Sequence, residues 1–284
     1  MNYGNTTPSM VGLAMKEMVR RAIREIRNQR FVFDASHKAS LDDGSMTDLV
    51  TTADLAAQKI YLRVIKNCFP DYGVIAEEEE LRVPCQAQNR NLCFTIDPLD
   101  GTKAFARRQS AGVGTMIALL DGRNVLSAYV GDVMTQEIYG FRPESHWVYR
   151  ISEYDVAESL QKAEVPIEKA YLLLRDQPKN YPPSLARMID RFCGVDVEGG
   201  SIGISFARLW KREVEAILTG FYFATPWDSA PIIGISRKLG YRFAQIDPDG
   251  TIREIELQPP LEPAKNDHYL LVAGDQVMRE LGLP

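Results

Sequence analysis

Five acids stand where the chain changes direction: Asp54, Glu77, Asp97, Asp100 and Asp228. The densest group is Asp97-Pro98-Leu99-Asp100-Gly101-Thr102-Lys103-Ala104-Phe105, with two carboxylates three positions apart after the apolar run that carries Leu92, Cys93, Phe94 and Ile96. Pro98 fixes one φ angle and opposes continuation of helix or strand. Gly101 permits a turn where a side chain would clash. The pattern predicts a buried strand that stops and aims two acids at one spot. Acids held close repel, and one takes up a proton unless a cation lies between them. Oxygen-only ligands suit a hard ion such as Mg²⁺. The same residues also read as an Asp-Pro turn followed by an Asp-Gly turn on the surface. On this stretch alone the two readings balance.

The elements that would position these acids follow from hydrophobic spacing. Residues 9–30 repeat apolar side chains at three and four, which predicts an amphipathic helix with Arg20, Arg21, Arg24 and Arg27 on a solvated face. Residues 34–48 are polar, carry Asp42-Asp43-Gly44-Ser45, and read as a loop or hairpin. Asp54 precedes Ala56, Ala57, Ile60, Tyr61, Val64 and Ile65 at helical spacing, so it falls at a helix start, where an acid caps the helix or offsets its dipole. Val74-Ile75-Ala76 reads as a buried strand running into Glu77-Glu78-Glu79-Glu80, of which the first one or two face inward. Residues 82–91 read as a polar linker.

After Phe105 the runs 113–120, 125–130, 136–141 and 147–149 predict an antiparallel meander. Beyond it, strands and helices alternate, which indicates α/β layers. Helices are expected at 183–192, from Gly199-Gly200-Ser201 to about Arg212, from Pro226-Trp227-Asp228 onward, and at 275–282. The chain is therefore expected to divide into an α+β part, 1–155, and an α/β part, 156–284.

Composition narrows the function. The chain has 284 residues, 45% apolar and 25% charged, and a formal charge of -5, an ordinary globular balance that argues against a nucleic-acid polymer or an anionic membrane as partner. No apolar run reaches the ~18 residues of a membrane span, and the N-terminus lacks the apolar core of a secretory signal. Cys68, Cys85, Cys93 and Cys193 form no Cys-x-x-Cys pair, and His37, His146 and His268 have no ligand spacing. Reduced thiols in a cytoplasmic protein without zinc are expected.

Together the acids carry a resemblance. Val50-Thr51-Thr52-Ala53-Asp54, Ile75-Ala76-Glu77-Glu78, the Asp97–Phe105 stretch and Trp227-Asp228-Ser229-Ala230-Pro231 are similar, in order and spacing, to the motifs of the inositol monophosphatase-like family of metal-dependent phosphatases, with Ala76 replacing a Gly. The resemblance implies a layered αβαβα sandwich of the sugar-phosphatase type, with the site between two lobes. It implies that Glu77, Asp97, Asp100 and the Leu99 carbonyl hold Mg²⁺, two or three ions in all, and that Asp228 closes the site from the second lobe. Asp54 and Thr102, with Glu77, would orient and deprotonate the attacking water. The Gly101 and Thr102 N–H groups would hold phosphate oxygens, with Lys103 and Ser201 also on the substrate, and Glu78 would be a neighbouring acid. Lithium sensitivity and a homodimer are implied as well.

Substrate choice departs from the inositol-specific members, which carry an acid seven residues before the last metal Asp. Here that place is Phe221, in Leu218-Thr219-Gly220-Phe221-Tyr222-Phe223. An apolar ring cannot read a polyol hydroxyl; residues 221–223 read either as a buried strand or as a pocket wall able to stack an adenine. Lys103 resembles relatives acting on 3′-phosphoadenosine 5′-phosphate. The expected activity is a phosphomonoesterase for an inositol monophosphate or related sugar phosphate, with the bisphosphate nucleotidase as the alternative. A catalytically silent metal- or phosphate-binding regulator is the competing class, and a structural Ca²⁺ site ranks below both because no single loop alternates acids densely.

Overall fold

The computed structural model describes residues 3, 4, 6–40, 44–88, 90–220 and 223–284. The first half contains helix α1 (Pro8–Gln29), the hairpin β1 (Ala35–Lys38) and β2 (Asp48–Thr51), and helix α2 (Thr52–Cys68). Strands β3 (Gly73–Ala76), β4 (Arg82–Val83) and β5 (Leu92–Asp100) lead to a short helix, α3 (Thr102–Ala106). The meander follows as β6 (Gly114–Asp121), β7 (Asn124–Asp132), β8 (Ile138–Phe141), β9 (Tyr149–Ile151) and β10 (Ala157–Ser159). The second half runs β11 (Tyr171–Leu174), α4 (Pro183–Ile189), β12 (Gly194–Val197), α5 (Ile202–Trp210), β13 (Ala216–Thr219) and β14 (Phe223–Ala224). It ends with α6 (Pro226–Leu239), β15 (Arg242–Ile246), β16 (Ile252–Glu254), β17 (Ala264–Lys265), β18 (Tyr269–Ala273) and α7 (Asp275–Glu280).

Two large sheets result. The first has eight strands in the order β10-β9-β8-β7-β6-β5-β3-β4, and the second has six in the order β12-β11-β13-β18-β15-β16. Strand β10 still belongs to the first sheet, just past residue 155, where the chain was expected to divide. Each sheet is covered on both faces, and its alternating side chains show it. Ile117 and Leu119 of β6 face a core with α1 and α2, while Met116, Ala118 and Leu120 face α5 and α6. Ile217 and Val272 reach that same middle core from the second sheet; Leu218 and Leu271 face the opposite way, toward α4 and α7. The result is the layered αβαβα sandwich that the motifs implied. Helix α5 lies between the sheets, which is why Gly203, Ile204, Ser205, Phe206, Ala207, Leu209 and Trp210 are all buried.

Three expectations change. Strand β5 does not stop at Pro98: it runs on to Asp100 through an irregularity, with Asp97 opposite Met116 and Asp100 opposite Gly114. A bulge removes the need for a ladder N–H at that point, so proline is tolerated there. The linker 82–91 contributes an edge strand, β4, paired antiparallel with β3. The arginine face of α1 is partly committed to protein. Arg20 donates to the Ser152 and Glu153 carbonyls and pairs with Asp155, and Arg27 donates to the Val133 and Met134 carbonyls. Guanidinium forks there satisfy loop carbonyls that no sheet ladder uses. Among the described residues, no helix is long and apolar enough to cross a membrane.

Candidate active site

A cavity of about 880 Å³ opens where the two sheets meet, and Glu77, Asp97, Leu99, Asp100, Gly101, Thr102, Lys103 and Asp228 line it. Asp228, and Asp54 behind the cavity wall, are placed by the same local device. Thr51 caps α2, and the Asp54 carboxylate accepts from the Thr51 backbone N–H at 2.7 Å and from the Thr51 hydroxyl. Thr225 caps α6, and its hydroxyl donates to Asp228 Oδ2 at 2.8 Å. In both, a Thr-x-x-Asp pair holds the acid in the first helical turn through one carboxylate oxygen.

Asp97, Asp100 and Asp228 each offer an oxygen, and these lie within 4.8 Å of one another. Burial drives the Asp97 carboxyl well above the usual range, and Glu77, Asp100 and Asp228 add to it. Asp97 and Asp228 are in side-chain hydrogen-bond contact, which raises the pKa of Asp97 and lowers that of Asp228. Burial, then Asp100 and Glu77, push Asp228 up to about 7. The remaining Asp97 oxygen, Oδ1, is buried with no hydrogen-bond partner. Three acids forced together, one oxygen unsatisfied, and only oxygen donors fit a hard divalent cation.

Asp100 is held from the helix between the sheets. It accepts from the Ser201 hydroxyl, from Ile202 N at 3.1 Å and from Gly203 N at 2.7 Å, all at the start of α5. Burial raises its pKa, and these donors together with Arg175 oppose the rise. Close approach of backbones makes the seam possible. Gly101 has φ +90°, and a Cβ there would fall 2.3 Å from Gly112 O and 2.7 Å from Ser201 N. Ser201 N donates to Gly112 O at 2.9 Å.

Asp54 reaches the same place from α2. Thr102 Oγ1 lies 3.0 Å from Asp54 Oδ1 and 3.1 Å from Leu99 O. Burial lifts Asp54 to about 6, against the hydrogen bonds from Thr51 that favour its charged form. Glu77 follows β3, where its N–H bonds to Ile96 O at 3.1 Å, and it lines the cavity. Its carboxylate is 2.8 Å from Lys38 Nζ, which is also 2.8 Å from Glu78. Glu77 and Glu78 hold the Lys38 ammonium protonated despite its burial. Glu78 is buried and raised to about 7, while Glu79 and Glu80 are exposed.

Lys103 also lines the cavity; its side chain is 62% exposed and 3.4 Å from Asp48. Ser201 is fully buried and gives its hydroxyl to Asp100, while the neighbouring Gly200 lines the cavity. Phe221 and Tyr222 lie outside the described residues. Lys38, Arg175, Thr225 and Lys265 were not singled out from the sequence. Thr225 had a signal, since Thr225-Pro226-Trp227-Asp228 repeats the spacing of Thr51–Asp54. Lys265 lines the cavity from β17, far along the chain from every motif.

The seam between the two sheets holds an all-oxygen acidic cluster, a candidate metal site, on a layered fold of the sugar-phosphatase architecture. Residues 11–266 match the inositol monophosphatase family, and the chain belongs to it. It is 27% identical over 210 residues to inositol-1-monophosphatase of Synechocystis sp., covering 70% of this chain and 67% of that one. It is 31% identical over 107 residues to Nus factor SuhB of Escherichia coli, covering 37% of this chain and 36% of that one. In fold it is similar to the extragenic suppressor protein suhB of Bartonella henselae, with TM-score 0.72 and 15% identity over 96% of each chain. It is also similar to an IMPase/NADP phosphatase solved with Mg²⁺ and phosphate, with TM-score 0.70 and 16% identity over 97% of this chain and 95% of that one.

Proposed function

We propose that this chain is a Mg²⁺-dependent phosphomonoesterase that hydrolyses a small phosphorylated alcohol, an inositol monophosphate or a related sugar phosphate. The observation that carries the reading is the meeting of Asp97, Asp100 and Asp228 beside the Asp54–Thr102 pair, with Asp97 Oδ1 unsatisfied. Glu77, Asp97, Asp100, Asp228 and the Leu99 carbonyl would hold Mg²⁺. When bound, Mg²⁺ would supply positive charge that offsets the phosphate and stabilises the leaving oxygen. Asp54 takes the Thr102 hydroxyl proton, which leaves the Thr102 oxygen able to accept a proton from the attacking water. Its pKa of about 6 suits it to hold that proton near neutral pH. The Gly101 and Thr102 N–H groups would bind phosphate oxygens.

A second reading is the 3′(2′),5′-bisphosphate nucleotidase. Lys103 and Lys265 both line the cavity, and they favour a substrate with a further anionic group. The intact Asp54–Thr102 pair weighs against a catalytically silent regulator, which would have no use for it. Lithium sensitivity, a homodimer, a cytoplasmic location and a division of labour between residues 1–155 and 156–284 belong to the same proposal.

The test is phosphate release from inositol phosphates, sugar phosphates and 3′-phosphoadenosine 5′-phosphate, each with and without Mg²⁺. Mg²⁺-dependent release from one class is expected. No release from any, by a folded chain that binds Mg²⁺, would leave the regulator.

A further inference from the structure

Arg175 follows β11 directly and takes no part in the acid cluster. It is nevertheless tied to the turn that serves Asp100. Its Nη2 donates to Gly200 O at 2.6 Å, and its Nη1 donates to Ser201 O at 3.1 Å and to the Ser205 hydroxyl. Its own backbone N–H is anchored on Leu218 O at 3.2 Å, so the guanidinium is fixed to the second sheet at its root. Asp100, Glu198 and Asp228 are the acids whose charges act on it.

Besides this clamp, the turn at Gly199-Gly200-Ser201 is held by Ser201 N on Gly112 O at 2.9 Å and by the Ser201 hydroxyl on Asp100. Gly200 sits at φ +84°, and a turn rich in glycine loses more conformational freedom on ordering than other sequences do. Yet this turn delivers all three hydrogen bonds that Asp100 receives from α5. The planar fork of Arg175 spans two successive carbonyls, which a lysine's single ammonium does not reproduce.

Building on the phosphatase reading, we propose that Arg175 is a positioning residue: by clamping the Gly200 and Ser201 carbonyls it sets the donors that orient the Asp100 carboxylate for a divalent cation. Two effects of removing it have opposite signs. As a nearby positive charge, Arg175 repels a cation, so its loss would tighten metal binding. As a clamp it orders a ligand, so its loss weakens binding, by about 10- to 100-fold where an outer partner of a metal ligand is removed.

Mn²⁺ binding, followed by electron paramagnetic resonance of the free ion, separates the two without any turnover. Arg175→Met is expected to fold and to bind Mn²⁺ at least about tenfold more weakly than the wild type. Arg175→Lys, which keeps the charge but not the fork, is expected to weaken binding at least about threefold, and it decides the matter if Arg175→Met does not fold. In an Asp100→Asn background the Arg175 substitutions should cost almost nothing further, because they act through Asp100. Unchanged or tighter Mn²⁺ binding in the folded variants, or full additivity with Asp100→Asn, overturns the assignment while the phosphatase reading stands. A wild-type chain that binds no Mn²⁺ ends both.

Discussion

Thr102 Oγ1 lies 3.0 Å from Asp54 Oδ1, a contact between residues 48 positions apart that joins the start of α2 to the start of α3. One carboxylate oxygen is spent on the helix cap and the other on the hydroxyl. Thr102→Ala removes the hydroxyl and leaves the cap intact. The expected outcome is a fall in kcat of about 100-fold or more with KM little changed, read from steady-state phosphate release. An equal kcat would take Thr102 out of water activation.

Asp97→Asn replaces a carboxyl whose charged form is disfavoured by burial and by the acids around it in the metal-free chain. The metal-free melting temperature should therefore stay the same or rise, since one of the mutually repelling acids is gone. Mg²⁺ should no longer raise it, and phosphate release should drop more than about 100-fold. Calorimetric scans with and without Mg²⁺ check both halves; a variant still stabilised by Mg²⁺ would contradict the assignment. Asp228→Asn should behave in the same way.

Asp54 at about 6 and Asp228 at about 7 both lie above the ordinary 3.8 of an aspartate. The folded chain thus binds more protons than the unfolded chain between roughly pH 4 and 7. The stability these groups contribute is complete below the unfolded pKa and is lost as pH rises through 6 and then 7. Without metal, the melting temperature should rise as pH is lowered from 8 to 6. With saturating Mg²⁺ the slope should shrink, because the cation replaces the protons. By the same linkage, Mg²⁺ affinity measured by titration calorimetry should weaken as pH falls through 7.

Gly101→Ala places a Cβ against Gly112 O and Ser201 N at a φ that disfavours any side chain. A loss of about 2 kcal/mol or more is expected. Denaturant unfolding of the metal-free chain measures it; a change within about 0.5 kcal/mol, the range of an ordinary surface substitution, would mean the seam yields readily.

Much of this was legible because it is local. The amphipathic pattern of α1, the meander and the Thr51–Asp54 box are decided by residues near one another, and the helix bounds fall within a residue or two of the pattern at Pro8–Gln29. The strand through Pro98 was not legible, since proline ordinarily ends a strand and only the pairing with β6 supplies the bulge that admits it. The place of Lys38 was hidden for a related reason: its partners Glu77 and Glu78 lie 39 and 40 positions away, and no periodicity joins a hairpin to a strand end. Ser201 was expected on the substrate from the resemblance. The buried carboxylate of Asp100, about a hundred residues earlier, takes its hydroxyl instead.

The glycine-lined seam constrains how a ligand can come and go. Asp100 rises from the first sheet, while all three of its donors lie at the start of α5, the helix between the sheets. Any movement that drew α5 away from β5 would strip that carboxylate of all three donors at once. The same cavity carries Lys103 and Lys265 in its lining, so cationic charge stands beside that acidic floor.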